Sequence, residues 1–400
     1  MSTSGPGTRG DAWRVFLVFL RLGLTSFGGP VAHLGYFRSE FVERRRWLDD
    51  RSYSDLVALC QFLPGPASSQ VGMALGLSRA GWPGLLAAWA GFTLPSATAL
   101  MVFALGISRY PDLAGSGAVH GLKLAAVAVV AQAVWGMTRS LCPDLPRIAL
   151  AVLAALLTLS IPSAAAQVAA IIIAGLVGRW GLKVVRPVAS QPHDHPVSRK
   201  AGGVALLLFV VPLVGLPLWA AVSGSSTVAL LEGVYRSGAL VFGGGHVVLP
   251  LLQAAVVPTG VISNTDFIAG YGAAQAVPGP LFTFAAYLGA VAGGPLHGWV
   301  GGLVLLGVIF LPAFLILVGA LPFWDMLRHR EDMRAAMAGI NAGVVGILLS
   351  ALYDPVWTSA IHNLTDILLA LLGFGLLVFG RMPAVLVVIA LAFAGWAIAG

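Results

Sequence analysis

Two arginines stand within apolar stretches of this 400-residue chain, each six residues ahead of a run of glycines. Arg21 precedes Phe27-Gly28-Gly29-Pro30 in the first half, and Arg236 precedes Phe242-Gly243-Gly244-Gly245 in the second. Guanidinium groups bind tetrahedral oxyanions through paired hydrogen bonds. Glycine permits unwound backbone, and a helix that starts at such a break presents free N–H groups and a partial positive charge. The two blocks therefore predict one anion-binding site assembled from two halves of the chain.

A second pair of helix breaks follows the first pair in the same order. Gln61 precedes Pro64-Gly65-Pro66, and Gln275 precedes Pro278-Gly279-Pro280 at the corresponding place in the second half. Two prolines around a glycine remove two hydrogen-bond donors and end a helix, so both motifs are predicted to be hinges. Each glutamine, one turn earlier, is placed to hydrogen-bond either the freed carbonyls or the substrate. A purely structural kink is the alternative interpretation.

Each arginine also has a structural explanation. Glu232 lies one turn before Arg236 and can pair with it. Leu17 occupies the matching position before Arg21, for which the alternative is snorkelling to the membrane surface. An arginine inside a spanning helix costs about 2.5 kcal/mol or more, so it needs a partner or a purpose. We therefore favour anion binding at both positions.

Three titratable residues are candidates for proton movement. His246 directly follows the triple glycine, and His33 lies three residues after Pro30. Either imidazole can carry a proton or donate to an oxyanion, and packing is the alternative for both. Glu232 is the best acidic candidate for proton coupling. The glycine pairs themselves have the alternative of close helix packing.

The elements that carry these residues are membrane helices. Hydrophobic residues make up 58% of the chain and charged residues 10%, whereas roughly a quarter of a soluble domain is charged. Apolar windows of about 18 or more residues recur from end to end, which predicts an all-α polytopic membrane protein. The net charge of +7 is spread over loops and indicates orientation in the membrane, with no nucleic-acid partner. No nucleophile–base pair or phosphate loop emerges, so an enzyme is not expected.

We interpret the chain as thirteen apolar windows, or ten to twelve membrane segments if some of them re-enter. The windows are 12–34, 54–78, 82–106, 116–138, 146–161, 163–181, 202–222, 228–252, 267–292, 297–321, 333–353, 363–380 and 382–399. The predicted domains are an N-terminal repeat at 1–182, a polar linker at 183–200, and a connecting helix plus C-terminal repeat at 201–400. His193, Asp194 and His195 in the linker suggest a metal only weakly, because no further ligands converge there, so neither a metal nor a cofactor is expected.

The odd helix at 202–222 makes the second repeat enter the membrane from the opposite side. Inverted repeats with paired broken helices are typical of secondary transporters, which hold substrate near the midplane. Gly81-Trp82 and Gly298-Trp299 extend the repeat at nearly the same spacing. With the N-terminus inside, most basic loops also fall inside, but the arginine-rich loop 38–51 falls outside. That placement contradicts the positive-inside rule unless this stretch re-enters or lies on the surface.

Taken together, four blocks resemble the chromate transporter family. They are Leu-Gly-Leu-Thr-Ser-Phe-Gly-Gly-Pro-Val-Ala-His-Leu-Gly (22–35), Cys-Gln-Phe-Leu-Pro-Gly-Pro-Ala-Ser-Ser-Gln (60–70), Phe-Gly-Gly-Gly-His-Val-Val-Leu-Pro (242–250) and Ala-Gln-Ala-Val-Pro-Gly-Pro-Leu-Phe (274–282). The resemblance covers nearly the whole chain. It implies a multi-pass carrier in the bacterial inner membrane that exports chromate, is driven by the membrane potential or a proton gradient, and confers chromate resistance. It also implies inverted halves, since short members of the family consist of one half and work as pairs.

Several alternatives stay open at this stage. Chromate and sulfate are tetrahedral dianions of similar size, so the motifs predict the class of anion, and a carrier of sulfate or another oxyanion is the first alternative. An anion channel is an alternative of another class, and a membrane scaffold without transport is a third. Besides the anion and the lipid bilayer, a second copy of the chain is a candidate partner.

Overall fold

The computed structural model describes residues 9–110, 117–183, 197–327 and 330–399, and within these ranges all regular structure is helical. We number the main helices in chain order: α1 Arg9–Thr25, α2 Gly29–Arg38, α3 Asp50–Phe62, α4 Ala67–Arg109, α5 Gly117–Leu141, α6 Leu145–Ser160, α7 Ala164–Gly181, α8 Arg199–Ser223, α9 Ser226–Ala239, α10 Val248–Val256, α11 Asn264–Ala274, α12 Phe284–Val291, α13 Gly298–Ala320, α14 Glu331–Ala351, α15 Leu364–Val378 and α16 Ala384–Ala399. His193, Asp194 and His195 lie outside the described residues.

The helix boundaries follow local sequence signals. Serine side chains accept hydrogen bonds from the first turn of α9 and α11, at Ser225 and Ser263 respectively, which satisfies backbone donors that a helix start leaves free. Helix α4 is interrupted at Ala80 and Gly81, where the backbone leaves helical geometry. It therefore acts as two helices, 67–79 and 82–109, of which the second is long enough to cross a membrane.

Six described helical segments are long and apolar enough to cross a membrane: Ala67–Arg109, Gly117–Leu141, Ala164–Gly181, Arg199–Ser223, Gly298–Phe323 and Glu331–Ala360. Shorter apolar helices accompany them, among them α6, α15 and α16. Only 6% of the residues in the apolar window of α8 are buried, although this connecting helix packs along one side on α9 and α13.

Four windows that the sequence presents as single broken spans are helical hairpins that enter and return. Helices α1 and α2 fold back on each other, because the ring of Phe19 on α1 stacks on that of Phe41, just beyond α2, with centroids 5.1 Å apart. Helices α11 and α12 do the same, since the Tyr287 hydroxyl donates to the Asp266 carbonyl at 3.0 Å. The pairs α3 with 67–79 and α9 with α10 pack in the same way. An apolar window has the same composition whether the chain continues or turns back at its break, which is why 12–34, 54–78, 228–252 and 267–292 were predicted as spans.

The hairpins remove the conflict over loop 38–51. Contacts between helix ends define one face of the protein, which we call the arginine-rich face. The Arg147 guanidinium donates to the Lys183 carbonyl. Arg179 pairs with Asp332, and the Trp324 indole donates to Asp55. Since α1 and α2 form a hairpin, the arginines of 38–51 lie on this same face. The prediction that this loop lies opposite the other basic loops is therefore wrong. The positive-inside rule predicts that the arginine-rich face is the cytoplasmic one.

The two repeats exchange helices. Helix α5 of the first half packs on α15 and α16 of the second, and α14 of the second half packs on α6 and α7 of the first. Gly121 leaves no room for a side chain against Leu391, and Gly339 leaves none against Ala174. These two contacts are related by the repeat, since Gly339 stands at the position equivalent to Gly121, and Leu391 at the position equivalent to Ala174. Neither repeat therefore buries its helices without the other.

Candidate functional site

The turns of the four hairpins meet at the centre of the protein. We call them the first glycine tip (26–30), the first proline tip (63–66), the second glycine tip (240–245) and the second proline tip (275–280). The Gly65 N–H donates to the Val241 carbonyl at 2.7 Å, and the Gly279 N–H donates to the Ser26 carbonyl at 2.9 Å. Each proline tip thus donates one hydrogen bond to the glycine tip of the other repeat, and the two hydrogen bonds lie at equivalent positions of the repeats.

The glycines at these turns are required by backbone conformation. Gly28, Gly65, Gly243 and Gly279 have φ angles of 98°, 117°, 75° and 94°, values that other residues rarely adopt. The flanking prolines cannot continue a helix through the turn and carry no N–H that would need a partner there. The predicted hinge residues Pro30, Pro64, Pro66, Pro278 and Pro280 therefore all lie at or beside a hairpin turn.

The two glycine tips also contact each other. A Cβ atom on Gly245 would lie 3.4 Å from the Pro30 ring, and one on Gly29 would lie 3.9 Å from the His246 Nε2 atom. The two glycine tips thus contact each other, and each proline tip contacts the glycine tip of the other repeat. Breaks that lie in opposite halves of the sequence therefore form a single structural unit.

A cavity of about 150 Å³ lies beside this unit. It is smaller than pockets for drug-sized ligands, which measure about 300–1,000 Å³, and suits a small ion. Its walls come from both repeats: Gly28, Gly29, Pro30, Val129, Gln132, His246, Ala274, Gln275, Val277, Gly279, Leu281, Met382, Pro383 and Ala384. The connection between α15 and α16 contributes 382–384, so the cavity lies toward the arginine-rich face.

The first residues of three helical segments line this cavity. Helix α2 begins at Gly29, α16 begins at Ala384, and the short helical turn Leu281–Thr283 that precedes α12 begins at Leu281. No side chain caps the first or the third of these starts. A helix N-terminus carries roughly half a positive charge and unsatisfied N–H groups. Among the described residues that line the cavity there is no carboxylate, so the local field favours an anion.

Two polar side chains line the cavity beside the tips. The Gln275 Nε2 atom is buried, makes no hydrogen bond of good geometry within the described part of the chain, and lies beside the Tyr271 hydroxyl. Because the amide carries two N–H donors, at least one is free for a ligand. The His246 Nδ1 atom lies 2.9 Å from the Tyr271 hydroxyl, so the other ring nitrogen faces Gly29 and the cavity. Both side chains can therefore donate hydrogen bonds to an oxyanion.

His33 has a different environment. It is 1% exposed, its Nε2 atom lies 3.2 Å from the Ser26 carbonyl, and its Nδ1 atom lies 3.3 Å from the Ser68 hydroxyl. Both ring nitrogens are engaged and the ring is not among the cavity walls. The contacts of His33 thus correspond to the packing interpretation, in which it braces the first glycine tip.

Neither arginine lines the cavity. Arg236 pairs with Glu232 at 3.1 Å, with the two side chains 26% and 12% exposed, as the structural explanation of the sequence anticipated. Arg21 is exposed on the face of α1 that carries Leu17 and Leu24, and no ion pair links it to another described residue. Gln61 is exposed as well, unlike its repeat partner in the cavity wall. The structure therefore gathers the glycine and proline breaks, His246 and Gln275, but not the two guanidinium groups.

Sequence reasoning missed part of the cavity wall. Gln132 lies on α5 and Met382, Pro383 and Ala384 precede or begin α16, and neither stretch belongs to a repeated motif. A single glutamine inside the apolar window 116–138 was the only available signal for Gln132. The start of α16 becomes part of the site only because that helix packs on α5 of the other repeat.

Comparisons with known proteins agree with this arrangement of two copies. The family model for chromate transporters matches residues 13–179 and 228–396. The chain is 28% identical to a chromate transport protein of Pseudomonas aeruginosa, over 96% of this chain and 91% of that protein. It is 28% identical to a chromate transport protein of Cupriavidus metallidurans, over 90% and 85% of the two chains. It is 25% identical to a probable chromate transport protein of Synechococcus elongatus, over 94% and 93%. No solved structure matches the chain.

Proposed function

We propose that this chain, which belongs to the chromate transporter family, is a secondary transporter that exports chromate across the bacterial cytoplasmic membrane and so confers resistance to it. The observation that carries the proposal is the central cavity, where three helical N-termini and two side-chain donors converge with no carboxylate among the described lining residues. Membership of a transporter family favours transport over catalysis, and so does the lack of a nucleophile–base pair in the described part of this wall.

The chromate dianion would be held mainly by backbone and neutral donors. Helix N-termini bind oxyanions through oriented N–H groups, and Gln275, Gln132 and His246 would complete the hydrogen bonds around the tetrahedron. Neutral donors bind an anion less tightly than a buried arginine would, which suits a carrier because it must release its substrate. In this proposal both glycine tips are binding elements. The second tip contributes by holding His246 against the first tip, through Gly243, Gly244 and Gly245.

The arginines would act outside the binding cavity. Arg21 lies on α1 shortly before the first glycine tip, and its side chain is exposed. An exposed guanidinium at that position would attract anions toward the cavity. Arg236 would pair with Glu232 whenever that carboxylate is ionised, because the two side chains lie within 3.1 Å of each other. Glu232 stays our acidic candidate for proton coupling.

Membrane physics gives the direction of transport. Moving one elementary charge across 100 mV is worth about 2.3 kcal/mol, so an inside-negative potential of that size favours the exit of a dianion by about 4.6 kcal/mol. Since about 1.4 kcal/mol corresponds to a factor of ten, the potential alone supports an outward gradient of roughly a thousandfold. The cavity lies toward the cytoplasmic face, from which an exporter would load its substrate.

The tips would also provide the gate. Two equivalent hydrogen bonds, from Gly65 to Val241 and from Gly279 to Ser26, hold the hairpins of the two repeats together. Breaking one of these two hydrogen bonds while the other is kept would expose the central site to one face of the membrane at a time.

Flux measurements in proteoliposomes test the proposal. Vesicles that contain the purified chain should take up labelled chromate when a potassium gradient and valinomycin make the lumen positive, and protein-free vesicles should not. Sulfate added at equal concentration distinguishes a chromate carrier from a general oxyanion carrier, and single-channel conductance would identify a channel. Absence of potential-driven flux for any tetrahedral oxyanion would refute the proposal.

A further inference from the structure

A second cavity of about 170 Å³ lies on the opposite side of the protein. It is bounded by the end of α6, the start of α7, α10 and the end of α14. Its wall includes Thr158, Gln167, Gln253, Ile347, Ser350 and Asp354. Helices α6 and α14 begin beside Arg147 and Asp332 on the arginine-rich face. Their opposite ends line this cavity, so it lies toward the other face.

The two cavities are related by the internal repeat. Ile347 and Ser350 occupy, in the second repeat, the positions that Val129 and Gln132 occupy in the wall of the central cavity. Gln167 occupies, in the first repeat, the position of Ala384 in the second. The same helices of each repeat thus form a cavity on opposite faces, which is the arrangement expected for an inverted repeat. Three wall positions therefore correspond, whereas the equivalents of the tip residues, such as Gln61 and Gly243, do not line the second cavity.

The chemistry of the second cavity is the reverse of the first. Asp354 is exposed at the mouth of this cavity and supplies a carboxylate whose Oδ1 atom accepts a hydrogen bond from the Thr358 hydroxyl at 3.0 Å. No lysine, arginine or histidine is present among the described residues that line the cavity. The Gln167 side chain is 9% exposed, and its Nε2 atom donates to the Pro250 carbonyl at 3.1 Å. That bond fixes the orientation of the amide, because a flipped amide would set two oxygens against each other. The Gln167 Oε1 atom is consequently left buried without a partner among the described residues.

The wall offers oxygen atoms as ligands. Thr158 and Ser350, which are 6% and 7% exposed, contribute hydroxyl groups, beside the free Gln167 oxygen and the Asp354 carboxylate. Oxygen ligands select hard cations, and a site for a divalent ion ordinarily uses several carboxylates. One carboxylate with neutral oxygens matches a single positive charge.

We propose that this second cavity binds Na⁺, which is exchanged for the anion. The inference rests on the proposed transport function. The cation would enter from the face opposite the arginine-rich one, while the dianion leaves from the cytoplasm. Both movements carry charge in the direction that an inside-negative potential favours, so the two cavities of opposite polarity would add their driving forces.

Cation binding by the purified full chain tests this inference without any need for transport. Calorimetric titration with NaCl against choline chloride at constant ionic strength measures Na⁺, and proton uptake in weakly buffered solution measures H⁺. The wild type should bind Na⁺. Gln167→Ala, which installs the residue of the equivalent position, should weaken that binding about tenfold, and the isosteric Asp354→Asn should abolish it. Asp50→Asn is the control, because that carboxylate is exposed and pairs with Arg38 on the arginine-rich face.

The outcomes separate this inference from the proposed function. Loss of Na⁺ binding in both Gln167→Ala and Asp354→Asn supports the inference, and loss of proton uptake with unchanged Na⁺ binding contradicts it. Unchanged binding of both cations in the two variants, or no binding by the wild type, overturns the inference. In that case chromate flux driven by an imposed potential would persist if the transport function is right, and would be absent if the transport function is wrong.

Discussion

Substitution of Gly279 probes the contact that joins the two repeats. This glycine has a φ angle of 94° and donates its N–H to Ser26 at 2.9 Å. A Cβ atom there would lie 2.9 Å from the Ser96 hydroxyl and 3.1 Å from the Phe92 carbonyl oxygen. The hydroxyl can rotate away, but the carbonyl belongs to the backbone of α4 and cannot. Gly279→Ala therefore forces the second proline tip away from the first glycine tip.

The magnitude has two parts, and a second glycine separates them. Left-handed backbone costs a non-glycine residue roughly 1–2 kcal/mol, and overpacking adds about 1–3 kcal/mol. Gly294 has a φ angle of 90°, but nothing lies within 4 Å of a Cβ atom built there. Gly294→Ala thus includes the backbone cost alone. The difference between the two variants should be about 1–3 kcal/mol in the free energy of unfolding.

Thermal unfolding of the purified variants and chromate flux in proteoliposomes measure the two consequences. We expect Gly279→Ala to unfold at a lower temperature than Gly294→Ala and to transport chromate at least tenfold more slowly, because about 1.4 kcal/mol at the gate corresponds to a factor of ten. Gly294→Ala should keep the flux of the wild type. Equal flux in the wild type and Gly279→Ala would refute the assignment of the hairpin tips as the moving and binding elements.

Three further predictions concern side chains. Gln275→Leu should weaken chromate binding by roughly tenfold or more, since a hydrogen bond to a charged group is worth about 1.5–3 kcal/mol. The control Gln61→Leu should bind chromate as the wild type does. Equal affinities of Gln275→Leu and the wild type in equilibrium binding would remove the amide from the site. Arg236→Ala should destabilise the protein by less than the roughly 3–5 kcal/mol that breaking a fully buried ion pair costs, because both side chains are partly exposed. Adding Glu232→Gln should restore the melting temperature, and a double variant as unstable as the single one would contradict the pairing. Arg21→Ala should change the free energy of unfolding by no more than about 0.5 kcal/mol but raise the KM for chromate at low salt. Arg21→Lys, which keeps the charge, should have a KM near that of the wild type. A KM effect that persists in high salt would argue against electrostatic attraction.

The helix breaks could be located from sequence because their cause is local. The φ angle of a glycine and the missing N–H of a proline act on the nearest few residues, so Gly28, Gly65, Gly243 and Gly279 were identifiable without tertiary structure. The membrane class and the repeat follow from composition and from motifs in the same order, and the family comparison confirms both copies. The resemblance to chromate transporters followed from those same motifs.

The direction of the chain after each break could not be predicted in this way. Apolar composition is the same for a helix that continues across the membrane and for a hairpin that returns, so the four hairpins were predicted as single spans. The basic loop 38–51 was assigned to the wrong face for the same reason. The contact between Phe19 and Phe41, which shows that the first hairpin closes, joins residues whose pairing no local pattern specifies.

The sequence alone therefore determined which residues break helices, that two copies exist and that the whole lies in a membrane, because these properties depend on neighbours along the chain. Tertiary structure decided which groups surround the cavity. Gln132 and Ala384 meet there only because α5 of one repeat packs on α16 of the other. It also separated the arginines from the cavity, since Arg236 pairs with Glu232 within its own helix and Arg21 occupies the exposed face of α1. Such choices depend on packing between residues that lie far apart in the sequence.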